Sequence, residues 1–297
     1  MQQIPFDFFA PKSSWSTPDV FPQFSETETV AIDLETYDPY LTTCGPGWAT
    51  GRGHVVGIGV ATESWKGYFP IRHEAGGNLD EGVVLRWLTN LLNSTKREVI
   101  FHNALYDVGW LRREGIIVKG KILDTIVAAP LINENMFSYS LDNLGSFYCD
   151  EKKDESLLQD ASLAFGVNPK SEMYKLHAKY VGPYGEQDAA LTLKLWNKLK
   201  IEIAEQNLEK ILETESKLIP LLIEMRWRGV RVDEEKAEKI SKQLSTEEQK
   251  IQVEIKRKYG SDVNLWANAS LQNIFDKNKL WYPRTEKGMA SFQKDWL

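Results

Sequence analysis

The chain has 297 residues, 42% hydrophobic and 26% charged, with a net charge of −6. That length holds one large domain or two smaller ones; no run approaches the roughly 20 apolar residues of a membrane span, and the two cysteines and four histidines show no zinc-ligand spacing. The charge is uneven, −8 over residues 1–205 and +2 over residues 206–297, so overall acidity does not by itself exclude a nucleic-acid partner: carboxylates held by divalent cations would not repel one.

Residues 1–27, rich in proline, serine and aromatics, predict an irregular lead-in, and their start lacks the basic and apolar regions of a secretion signal. With Cys44 and Cys149 in dissimilar contexts, free thiols and a cytoplasmic location are expected. A strand is predicted near 28–35, and "HVVGIGVATE" and "WKGYFPI" predict two more, antiparallel neighbours because the connection is short. "NLDEGVVLRWLTNLLNS" carries Val84, Leu88, Leu91 and Leu92 on one helical face, and the apolar "EVIFHN" predicts another strand. Helices follow at "ALYDVGWLRREG", closed by Gly115, at "DTIVAAPLI", at "SLDNLGSFY" and from Pro183 to Lys200, with Pro183 in the first turn. Beyond 201 the pattern changes to charged amphipathic helices, one ending at Gly229, one from the N-cap Asp233 to Gly260, and a short one at "NASLQNIFDKN". The division expected is a lead-in over 1–27, an α/β domain of mixed sheet flanked by helices over 28–205, and a helical segment over 206–297.

Within the first strand, "VAIDLETYDP" sets Asp33 and Glu35 two residues apart, on the same face and about 7 Å from each other. Two carboxylates so placed repel each other and prefer water to a sheet interior. Further acids fall in definite contexts: Asp107 on the helix after "VIFHN", and Tyr184 and Asp188 at i and i+4 of a later helix, on one face. Hard oxygen ligands in this number favour Mg²⁺ or Mn²⁺ over zinc. Two such ions about 4 Å apart activate a water and stabilise the leaving oxygen in phosphodiester cleavage. They would also cancel the repulsion between Asp33 and Glu35. His102 is expected to be a packed, hydrogen-bonded side chain, and Asp124 a helix N-cap.

The stretches "DLET", "HNALYD" and "YGEQD" resemble, in order, the three motifs of the proofreading 3′–5′ exonucleases, in the version with tyrosine in the third. The likeness is closest to the exonuclease domain of family A DNA polymerases, particularly those of bacteriophages. It extends beyond 200, where "LIPLLIEMRWRGVRVD" and "NASLQNIFDKNKLWYP" resemble the start of a polymerase thumb. The resemblance implies a ribonuclease H-like fold followed by a partial, thumb-like helical segment. It further implies that Asp33, Glu35 and Asp188 hold a first cation, that Asp33 bridges to a second with Asp107 nearby, and that Tyr184 orients the attacking water. Thr36 and Asn103 match positions that contact the 3′-terminal nucleotide. The implied partners are a DNA 3′ end, single-stranded or frayed, and either a second polypeptide carrying the palm and fingers or other replication proteins; residues 1–297 contain no segment resembling palm or fingers and should not extend a primer alone, as expected of a fragment or of one half of a split polymerase. Two other readings stand beside this one: a stand-alone RNA-processing exonuclease with the same five residue types, and a non-catalytic replication scaffold.

Overall fold

The computed structural model describes residues 10–260 and 262–292; part of the predicted lead-in lies outside them. In chain order the elements are β1 (Val30–Tyr37), α1 (Leu41–Cys44), α2 (Gly47–Thr50), β2 (His54–Ala61), β3 (Lys66–Pro70), α3 (Glu81–Leu92), β4 (Glu98–Phe101), α4 (Ala104–Arg113) and β5 (Lys121–Asp124). Then come α5 (Thr125–Ile132), α6 (Leu141–Cys149), α7 (Ser156–Phe165), α8 (Ala178–Glu205), α9 (Glu209–Arg228), α10 (Glu234–Tyr259) and α11 (Asn268–Lys277). The sheet order is β3-β2-β1-β4-β5, with β1 antiparallel to β2 and parallel to β4. Cys44 and Cys149 are free thiols. No helix among the described residues is long and apolar enough to cross a membrane.

The alternation of β1 sorts its side chains between two layers. Val30, Ile32 and Leu34 pack into a core with Val84 and Leu88 of α3, Val108 and Leu111 of α4, and Ile219 and Ile223 of α9. Ala31 points the other way, into a core with Ala128, Leu144, Leu191 and Leu195 of α5, α6 and α8. Asp33 and Glu35 continue that second face.

One sequence expectation shifts. Pro183 is not in a first turn: α8 begins at Ala178, capped by the His177 side chain, and the proline lies inside the helix. A proline there leaves the carbonyl four residues back, that of Lys179, without its N–H donor. The Ser13 hydroxyl donates to that oxygen at 2.8 Å, so the lead-in completes the helix. Trp15 adds to this, its indole donating to Glu186 Oε1 at 2.8 Å.

Packing also assigns α9. The chain divides into two compact units, Met1–Gly229 and Val230–Leu297, so α9 belongs with the first. Its apolar stripe accounts for this, Ile219 and Ile223 each being only 2% exposed. Arg112 of α4 pairs with Glu224 at 2.6 Å and lies 4.6 Å over the Trp227 ring. The second unit contains α10, capped by Asp233 and ended at Gly260, and α11, followed by a bridge between Arg284 and Ala290.

Candidate active site

Glycines on β2 let a helix carry the late acid to β1. Asp33 pairs with Gly59, and Glu35 with Gly57. A Cβ on Gly59 would stand 2.3 Å from the Gly185 carbonyl oxygen, so α8 crosses the sheet there at a separation only glycine permits. Asp188, three residues beyond Gly185, thereby reaches the β1 acids. One carboxylate oxygen from each of Asp33, Glu35 and Asp188 lies within 4.8 Å of the others. Glu35 and Asp188 are buried, at 7% and 4% exposure.

Such packing of like charges has the expected electrostatic effect. Burial, reinforced by Asp188, pushes the Asp33 carboxyl up to about 7, with Lys153 pulling the other way. Glu35 rises well above the usual carboxylate range through burial and the charges of Asp33 and Asp188. Asp188 is raised by burial against the opposing pull of Lys153. Its Oδ1 is buried and has no hydrogen-bond partner among the described residues. Three converging carboxylates, one with an orphaned oxygen, fit a hard divalent cation in both donor type and charge.

Asp107 lies outside that three-carboxylate group but feels it. Burial and then the Asp33 charge push its carboxyl well up, and the Leu34 backbone opposes them. Its helix is anchored from the next strand. Asp124 caps α5 by accepting from the Ile126 amide at 3.0 Å, and it also accepts from the Asn103 and Ala104 amides at 2.9 and 2.7 Å. One carboxylate therefore starts two helices. Asn103, held this way, adopts a left-handed backbone with φ of 82°, a conformation that asparagine tolerates better than other residues except glycine. Its exposed side chain makes no capping bond. Asp124→Ala should leave those amides without their acceptor, lower stability by about 3 kcal/mol and speed hydrogen exchange at the Ala104 amide; denaturant unfolding and exchange rates check both.

Thr36 follows Glu35 at a shift in the β1–β2 register that leaves Val56 of β2 as the extra residue. Its hydroxyl lies 2.7 Å from that of Tyr106, which donates to Asp38 at 3.1 Å. His102 is a packed side chain, with Nδ1 2.7 Å from the Thr125 hydroxyl and a pKa lowered to about 4 by burial and Lys153.

The sequence carries no signal for Lys153. It lies between α6 and α7, and its ammonium sits 2.5 Å from Asp188 Oδ2 and 3.5 Å from the Tyr184 hydroxyl. Nothing in the polar run "DEKKDES" separates it from its neighbours. Tyr184 is held protonated: burial and the surrounding carboxylates of Glu35, Asp188 and Asp33 raise its hydroxyl far above the ordinary value.

This sheet order, flanked by helices on both faces, is that of a ribonuclease H-like fold. A family described as 3′–5′ exonuclease matches residues 17–204, and the chain belongs to that family, the exonuclease domain of DNA polymerases of the A type. It is 33% identical over 98% of its length to a DNA-directed DNA polymerase of Pseudomonas phage M6, of which it covers 45%. It is 29% identical over 94% of its length to the DNA polymerase DpoZ of Salmonella phage PMBT28, again covering 45% of that protein. The chain thus spans less than half the length of these relatives. Among solved structures, the POL domain of Pol1 from M. smegmatis shares the fold with a TM-score of 0.60 and 18% identity, over 90% of this chain and 40% of that one. Brucella melitensis NrnC with bound Mg²⁺ gives a TM-score of 0.50 at 18% identity, over 73% and 95% of the two chains.

Proposed function

We propose that this chain removes nucleotides one at a time from the 3′ end of a DNA strand, as the proofreading part of a phage-type polymerase. The observation that carries the reading is the convergence of Asp33, Glu35 and Asp188 within 4.8 Å, with a buried carboxylate oxygen left unpaired. In this reading those residues hold one divalent cation, and Asp33 with Asp107 serves a second, each Mg²⁺ or Mn²⁺. Ions so held would activate a water at neutral pH and stabilise the leaving oxygen, and the product would be a 5′-mononucleotide.

The chain's own side chains bind and orient. Thr36, beside the shift in the β1–β2 register, and Asn103, in its left-handed turn, contact the terminal nucleotide. Tyr184 orients the attacking water, and a hydroxyl kept protonated serves as a donor rather than a base. Tyr184→Phe should therefore slow hydrolysis by roughly 10- to 100-fold without changing the fold, as single-turnover rates would show. A rate equal to wild type would make Tyr184 a packing residue. A polypeptide with polymerase palm and fingers, joined to this chain or separate, is the expected partner, and the cytoplasm of an infected cell is the expected place of work, a reading that similarity to phage polymerases supports.

Buried acids favour a strand end that can be drawn in unpaired. A base-pair step is worth about 1.4 kcal/mol, so each pair that must melt should slow the reaction by about tenfold. Matched, mismatched and single-stranded 3′ ends, compared at one salt concentration, test this. Equal rates on all three would remove the proofreading reading, and faster hydrolysis of RNA than of DNA would move the substrate to RNA.

A further inference from the structure

The loop between α6 and α7 presents a cation to the acid cluster, and its backbone is fastened on both sides of that residue. The Gln187 side chain, next to Asp188 on α8, accepts from the Asp154 amide at 2.9 Å and donates to the Lys152 carbonyl at 3.3 Å. A second tie joins Lys194 of α8 to Glu151 at 2.5 Å. Held between these points, Lys153 turns its side chain inward, where it is 13% exposed. Its ammonium rests 2.5 Å from Asp188 Oδ2 and 5.1 Å from the centre of the Tyr184 ring.

Asp188 cannot serve two cations equally. A divalent ion held by Asp33, Glu35 and Asp188 would bond oxygens at about 2.0–2.2 Å, which puts it within a few ångströms of the ammonium. Even at an effective dielectric of about 20, repulsion between charges that close exceeds thermal energy several-fold. Lysine suits an exchangeable counter-ion, because its charge is compact and strongly hydrated and its four-carbon stem can swing to solvent while the backbone stays fixed.

We propose that Lys153 competes with the divalent cation for Asp188, so that this lysine, positioned by Gln187, sets the affinity of the site for its metal. The proposal rests on the reading above that the acid cluster holds a divalent cation. Lys153 neutralises part of the acid cluster until the cation enters, then leaves Asp188 Oδ2.

The test is Mn²⁺ binding to the intact chain, measured by titration calorimetry at one pH and salt concentration, for wild type, Lys153→Met and Gln187→Leu. Lys153→Met keeps the length of the side chain and removes its charge. It should bind Mn²⁺ at least about tenfold more tightly, and it should melt at a lower temperature than wild type in chelator but not in saturating Mn²⁺. Gln187→Leu keeps the ammonium and frees the loop, so it should tighten binding in the same direction by a smaller factor. A residue that merely supports the fold would lower the melting temperature in both conditions and leave the affinity alone. Unchanged or weaker Mn²⁺ binding in both variants overturns the proposal while leaving the cation site standing. Absence of saturable binding in all three proteins overturns the cation site and the proposal together.

Discussion

Asp188→Ala should reduce hydrolysis by about 10³-fold or more while the protein stays folded. Asp188 supplies one of three converging carboxylates, and loss of a cation ligand removes the group that activates water and stabilises the leaving oxygen. The fold should survive because the neighbouring cores are built from apolar contacts of α5, α6 and α8 with the sheet, none of which includes Asp188. Loss of the Lys153 partner is offset in part by Asp33 and Glu35, which continue to act on that ammonium. Asp33→Ala should have the same effect on rate. Hydrolysis of an end-labelled strand, paired with circular dichroism of each variant, gives both readings. Near wild-type rates in either variant would remove these acids from the mechanism.

The second large effect is on stability against pH. Asp33 is pushed up to about 7 in the folded protein, from an ordinary value of 3.8. Between those values the folded chain holds a proton that the unfolded chain has released. Stability is therefore present in full below about pH 4 and is lost as pH rises towards 7, at up to about 1.4 kcal/mol per pH unit for one proton. Glu35, raised by the same burial and by its neighbours, acts in the same direction. In chelator, the stability difference between wild type and Asp33→Asn should shift against wild type from pH 4.5 to pH 7.5. Divalent cations should reverse that shift, because they bind the ionised carboxylates and do so better as pH rises. Urea unfolding of both proteins at the two pH values, with and without Mg²⁺, measures it; a difference independent of pH would mean that Asp33 is ionised as readily in the folded chain as in the unfolded one.

Much of the site can be read from local pattern. A strand period of two puts Asp33 and Glu35 on one face, and a helix period puts Tyr184 and Asp188 on another. The glycine alternation of "HVVGIGV" signals a close approach of some backbone to β2. That the approaching backbone is Gly185 depends on packing between segments more than a hundred residues apart, which no local period records. Asp124 is legible as the cap of α5, since it immediately precedes the helix, whereas its hold on the start of α4 requires β4 and β5 to lie side by side.

Other features of the fold likewise depend on contacts between distant segments. Pro183 signals a helix start by its own chemistry, and only the Ser13 hydroxyl on the Lys179 carbonyl shows why the helix begins earlier. The sequence-based boundary at 205/206 follows the change in composition, while the packing follows Ile219 and Ile223, which bind α9 to the first unit. Lys153 carries no period and no motif. Its significance comes from Gln187, which holds the loop against α8.

The most direct measurement is the fate of a single-stranded DNA labelled at its 5′ end, incubated with the purified chain in Mg²⁺ and in excess chelator. The account predicts stepwise shortening from the 3′ end with release of 5′-mononucleotides in Mg²⁺, and none in chelator. Shortening that persists undiminished in chelator, or an intact strand in Mg²⁺ and Mn²⁺ alike, would contradict it.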